Sequence, residues 1–226
     1  MKNGMLILSV ALTLLANPAQ AQVSVNWGAQ TDNGLGTAGG AELPIGDLIR
    51  IGTFNLTDTQ IQQNQFNISL LNSSFIEYAT AAIGDDVLVP AHWNTLTQTP
   101  TGTLGGRQIY LWAFDAPSLG AATEQGIFTS TNPSWVFPSD SALPPANSII
   151  IDLDQVAHQV GPGAIVVGGF GNGTTTVNNV QYPLYNLTPV PEPSAYAAVF
   201  GVICLASVVW FRRLRGHRNL TRGSCV

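Results

Sequence analysis

The stretch "RQIYLWAFD", residues 107–115, decides the fold class. Residues two apart share one face of a strand. Ile109, Leu111 and Ala113 therefore line one face, and Tyr110, Trp112 and Phe114 line the other. Apolar residues on both faces call for a strand covered on both sides, or for one face left as an aromatic surface. "SIIIDL" (148–153) reads the same way, and these two are the expected central strands. In "DLIRIGTF" (47–54), Leu48 and Arg50 alternate with Ile49 and Ile51, which suits a half-exposed strand.

Outward from these, the apolar runs stay short: "VSVNW" (23–27), "FNISLL" (66–71), "SFIEYAT" (74–80), "DVLVP" (86–90), "GIFTS" (126–130), "SWVFP" (134–138) and "AIVVGGF" (164–170). Gly, Pro, Asn, Asp and Thr separate them. Short runs with frequent turn residues indicate an all-β, sandwich-like domain of roughly ten short strands. One helix is expected at "TDTQIQQNQF", where Thr57 and Gln60 have capping-box spacing and Ile61 can reach the core. A second helical turn is expected within 118–124. "GFGNGTTTVNNV" (169–180) reads as a turn and "LTQTPTGTLGGR" (96–107) as a mobile loop. No repeat of fixed period is present.

Charge narrows the partners. Between Gln22 and Ser194 there are two arginines, Arg50 and Arg107, against thirteen acidic residues, a net charge of −11 with no lysine. Phosphate backbones are bound by Lys and Arg, so nucleic acid is excluded as a partner. Cys204 and Cys225 lie outside this region, so it has no disulfide and is stabilised by its core.

The candidate chemistries are thin. His92 and His158 stand apart, short of the three or four ligands of a zinc site. Asp85-Asp86 and Asp152-x-Asp154 carry oxygen ligands for calcium, but neither has the EF-hand loop form. Glu77, Asp115 and Glu124 are the conceivable carboxylates of a glycoside hydrolase, with nothing in the sequence to pair them. No G-x-S-x-G elbow is present, and "GGFGNG" lacks the Gly-Lys-Ser/Thr of a phosphate loop. Trp93, Trp112 and Trp135 are candidates for stacking on sugar rings, against the commoner role of filling the core. The expectation is therefore a non-enzymatic protein with no catalytic, cofactor or metal site. A carbohydrate-binding module is the alternative, and an exported hydrolase the remoter one.

Both ends read as targeting segments. Lys2, the apolar run 5–16 and Ala19-Gln20-Ala21 form a secretory signal, with cleavage directed by Ala19 and Ala21. Its apolar run is about 12 residues, short of the ~20 a membrane span needs. At the other end, Ala195 to Phe211 are uncharged and reach about 26 Å as a helix. Arg212, Arg213, Arg215 and Arg218 follow, a stop-transfer cluster that stays on the cytoplasmic side. The expected order is a signal peptide and signal helix (1–21), an exported β-rich domain (22–188), a proline-rich linker (189–194), one transmembrane helix (195–211) and a basic cytoplasmic tail (212–226).

Val190-Pro191-Glu192-Pro193-Ser194, an apolar span and an arginine cluster, in that order, resemble the PEP-CTERM sorting signal of exported proteins of Gram-negative bacteria. The resemblance covers residues 190–216. It implies that exosortase, a membrane-embedded cysteine-type transpeptidase, is a partner, that Pro191, Glu192 and Pro193 are the sorting motif, and that the span is a transient anchor. It further implies release to the cell surface or extracellular matrix and association with extracellular polysaccharide. Pro191 and Pro193 fix φ and remove two backbone donors, which keeps the motif extended for an enzyme to read. Residues 216–226 trail beyond the cluster, where such tails usually end sooner.

Overall fold

A computed structural model describes residues 23–29, 32–87, 89–142 and 147–190, together with positions 204, 205, 207 and 210. Among the described residues the domain is mostly β-structure, as its composition requires. The strands are β1 (Ser24–Ala29), β2 (Leu35–Gly36), β3 (Leu48–Phe54), β4 (Phe75–Ala82), β5 (Trp93–Gln98), β6 (Tyr110–Phe114), β7 (Glu124–Phe128), β8 (Ser148–Asp152), β9 (Ile165–Val167), β10 (Gly169–Val177), β11 (Val180–Asn186) and β12 (Thr188–Pro189). Two short helices, α1 (Asp58–Gln63) and α2 (Ile68–Ser74), lie between β3 and β4.

Three sheets form. The largest runs β12-β7-β6-β3-β4, with β9 also on β7; the others run β5-β1-β8 and β10-β11-β2. β6 takes the central place that its sequence demands, between β3 and β7. Leu111 and Ala113 enter a core shared with Trp27, Ile49, Trp93 and Tyr185 of all three sheets. Tyr110, Trp112 and Phe114 enter a second core with Phe54, Phe75, Ile61 and Leu71. The aromatic face is therefore covered, by the helices, and is not a free surface. Within it, Trp112 lies 5.3 Å from Phe54, 5.2 Å from Phe75 and 5.0 Å from Phe114, ring centre to ring centre. These are the tilted and edge-on geometries aromatic quadrupoles favour.

The helical cover is fastened by short-range chemistry. The Thr57 hydroxyl accepts from the Gln60 N–H at 3.3 Å, and the Gln60 amide oxygen accepts from the Thr57 N–H at 2.9 Å, closing the expected capping box. Ile61 is fully buried. Arg50 ties α2 to the sheet, and Arg107 holds the chain where β3 ends. Arg50 bonds Glu77 at 2.5 Å and Asn72 at 2.8 Å, with its guanidinium over Phe75 and Trp112. Arg107 donates to the Phe54 carbonyl at 3.2 Å and to Asn55 at 2.6 Å. The alternation expected in β3 holds: Ile49 and Ile51 are buried, and Leu48 and Arg50 are half-buried.

Several expected elements differ. "FNISLL" is helix α2, because the Asn67 carboxamide accepts from the Leu70 N–H and starts a turn with Leu71 inward. The described part of "DVLVP" is a turn, with Asp86 at φ 60° and Ala91 just beyond it at 65°. "SWVFP" makes only an isolated bridge, Val136 to Gln108, although Trp135 and Phe137 anchor it in the core. β8 is an edge strand paired to β1 alone, and Ile150 is 57% exposed. "GFGNGTTTVNNV" is mainly strand: β10 and β11 form a hairpin whose turn is Asn178-Asn179, at φ 50° and 64°. That left-handed pair suits a two-residue hairpin turn. The 96–107 stretch is pinned, since Asp140 accepts from the Thr101 N–H, the Thr101 hydroxyl and the Gly102 N–H. The second helical turn is present as a 3-10 turn at Leu119–Ala121.

Candidate functional site

The most distinctive functional geometry lies where the chain leaves the domain. After β11, Leu187 is buried beside Gly126, and its N–H donates to the Gly36 carbonyl at 2.8 Å. β12 then pairs with β7, Thr188 opposite Gln125 and Pro189 opposite Glu124. The Val190 N–H donates to the Thr123 carbonyl at 2.7 Å. Pro191 is the next residue. The bonded segment 188–190 thus directly precedes the residues that the sorting resemblance singles out. Pro191, Glu192 and Pro193, most of the apolar run 195–211, and Arg212, Arg213 and Arg215 lie outside the described residues, as do Ala19 and Ala21. Cys204, Leu205, Ser207 and Trp210 are helical and exposed. No helix among the described residues is long and apolar enough to cross a membrane.

The acidic residues converge at two places. Near the exit, Asp115 follows β6 and accepts from the N–H groups of Thr123 and Glu124, both at 2.8 Å. The Glu124 carboxylate accepts from the Ala38 N–H at 2.6 Å. Both carboxylates therefore serve backbone donors. Glu77 lies beside Gly52 and pairs with Arg50, whereas Asp115 adjoins the other end of β3, where the Leu48 N–H meets Ala116. Of the hydrolase candidates, Asp115 and Glu124 adjoin through backbone bonds and Glu77 stands apart from both.

Asp47 completes this end and was not singled out in the sequence. It is 4% exposed, and its Oδ2 has no hydrogen-bond partner. Burial, with the Asp115 charge adding, pushes its carboxyl up to about 6. An aspartate at a strand start ordinarily reads as solvated, so composition gave no signal.

The second convergence joins Asp32, Asp152 and Asp154. The Asp152 carboxylate accepts from the Asp154 N–H at 3.1 Å and closes a capping box with Gln155. Asp154 accepts from the Asn33 N–H at 3.1 Å and from the Asn33 carboxamide at 2.9 Å. Burial pushes both carboxyls up from their ordinary value, and the charge of Asp32 adds to it. These contacts make Asp152-x-Asp154 a cap on a 3-10 turn. Asp85 likewise caps the Ala82 N–H at 2.8 Å. Among the described residues, no group of three or more His, Cys, Asp or Glu is placed to hold a metal ion.

The histidines stay apart. His92 is buried between the Pro90 carbonyl at 2.9 Å and the Asp32 carbonyl at 3.4 Å. His158 is stacked on Phe170, 3.8 Å between ring centres. The tryptophans fill the core: Trp27, Trp93, Trp112 and Trp135 are each 0% exposed. That removes the aromatic platform considered for Trp93, Trp112 and Trp135, because a sugar cannot reach them. A groove of about 480 Å³ runs between α1 and the 160–168 segment, lined by Gln62, Gln65, Val160, Pro162, Val166 and Thr188 among others. Its lining has no carboxylate, imidazole or thiol. Beneath it, Asp58 accepts from the Tyr110 hydroxyl and the Gly163 N–H, both at 2.7 Å, tying α1 to the sheet. Sequence offered no sign of this three-way tie.

No family model, curated protein or solved structure matches this chain.

Proposed function

We propose that this protein is an exported envelope or extracellular-matrix component, non-enzymatic and polysaccharide-associated. In this reading it is a sandwich-like β-domain delivered by an N-terminal signal and sorted by exosortase through its C-terminal tail. One observation carries the reading. Strand pairing and backbone bonding to the β7 segment run through Val190, the residue that directly precedes Pro191 of the Pro-Glu-Pro motif. A tail made for removal needs a domain that is complete without it. Among the described residues, Leu187 is the last member of the buried core.

The division of charge supports the same reading. The exported domain carries −11 and both of its arginines are engaged within the fold, Arg50 with Glu77 and Asn72 and Arg107 with Phe54 and Asn55, while five arginines follow the apolar run. Cations are thus placed where they stop transfer and are scarce on the outside. The Pro191, Glu192 and Pro193 triplet supplies the extended, donor-poor backbone that an enzyme can bind.

The test is Glu192→Ala in the native host, followed by membrane fractionation. The variant stays in the membrane fraction while the parent protein is released. Release of the variant at the parent's rate contradicts the motif's role.

A further inference from the structure

We infer that β12 is a latch: residues 188–190 must leave β7 before the chain can be cut within 191–194. This rests on the sorting reading above. An enzyme that cleaves a backbone binds it extended on both sides of the bond. Downstream, only the four residues 191–194 precede the apolar run, a reach of at most about 14 Å. Upstream there is no free residue at all. Val190 is bonded to Thr123, and Pro189 and Thr188 are paired with Glu124 and Gln125. A membrane-seated enzyme therefore meets a folded β-domain directly at the bond it must reach.

The latch is built to open locally. It is a two-residue strand at the edge of the sheet. Two of the four residues 188–191 are prolines, which have no N–H to donate to a ladder. Short edge elements with few hydrogen bonds belong to the low-stability end of a native structure. Opening stops at Leu187, which is 3% exposed, bonded to Gly36 and seated against Gly126. The rest of that β7 edge stays covered by β9, paired at Ile127 and Phe128. Releasing three residues adds about 10 Å of extended chain, a substantial gain on the original reach.

A reversible crosslink tests this. Thr123→Cys with Val190→Cys places two thiols on facing strands next to the motif, and residues 22–194 contain no other cysteine. Facing side chains on antiparallel strands are within the span of a disulfide. In membranes containing the sorting enzyme, the oxidised double variant is expected to mature at least tenfold more slowly than the same protein after reduction. Equal rates for the oxidised and reduced forms overturn the latch. A second arm inserts six Gly/Ser residues between positions 190 and 191 of the crosslinked protein. Maturation returns if lack of free chain was the obstacle, and a crosslinked, lengthened protein that stays uncut overturns the proposal. Failure of the unsubstituted protein to mature is a different result, which counts against the sorting reading itself.

Discussion

At the centre of the large sheet, Trp112 is enclosed by Phe54, Phe75 and Phe114, and its indole N–H donates to Gln125 at 2.9 Å. At the edge of the same sheet, β12 holds the departing chain through two paired residues and the Val190 N–H. The centre draws on apolar burial, stacked rings and the Arg50 guanidinium. The edge draws on a few backbone bonds, with Pro189 opposite Glu124, whose N–H is held by the Asp115 carboxylate. The contrast predicts that resistance to opening is greatest where the helices cover the aromatic face and least along β12.

The largest effect should come from the centre. Trp112→Ala removes a fully buried indole and leaves the Gln125 amide oxygen without its donor. It should cost about 3–5 kcal/mol in urea unfolding of the domain. A loss near 1 kcal/mol would place the weight of the fold elsewhere and break the comparison.

The acidic end of β3 gives the next effect, and its direction follows from the raised carboxyl of Asp47. In the unfolded chain this group titrates at its ordinary value of 3.8, and in the fold at about 6. Well below pH 3.8 both states hold the proton and no penalty exists. As pH rises from 4 through 6 the unfolded state ionises first, so stability falls, and above 6 the cost is constant. The full cost is about 1–3 kcal/mol, discounted for solvent reaching the site. Asp152 and Asp154, also raised, act in the same direction, and Asp140, held down by its bond from the Thr101 hydroxyl, acts in the opposite one. Asp47→Asn should stabilise the domain at pH 7 and flatten the pH 4–6 slope of unfolding free energy. An unchanged slope would show that Asp47 does not feel its burial.

The most local effect sharpens the comparison further. The Val190 amide should exchange its hydrogen at least a hundredfold faster than the Ile127 amide of the central part of β7, read by hydrogen exchange on the folded domain. Equal protection would mean that the edge opens only with the whole sheet.

Particular residues show what could be read from the chain. The unbroken apolar run 109–114 called for cover on both faces or for an exposed aromatic face, because a strand with one wet face alternates apolar with polar residues; the packing of Ile61 and Leu71 on Trp112 decided between them. Thr57 and Gln60 announced α1 because a capping box is local chemistry. Ile149, Ile150 and Ile151 misled, since an apolar triplet looks the same on an edge strand as on a central one. "FNISLL" misled because six apolar-rich residues fit a strand and a helical turn equally, and the Asn67 cap decided between them. The candidate site was legible only in its outline. Pro191, Glu192 and Pro193 stand out in sequence, but their junction with β12 depends on Thr188 and Pro189 finding β7, some 64 positions earlier in chain order. Asp47 and the Asp58–Tyr110–Gly163 tie were invisible for the same reason: each is made by contacts distant along the chain.

The mass of the protein recovered from the surface of its native host is the most direct measurement. The account gives a C-terminus within Pro191 to Ser194, leaving the domain intact through Val190. A recovered chain that still extends through Phe211 to Val226 would contradict it.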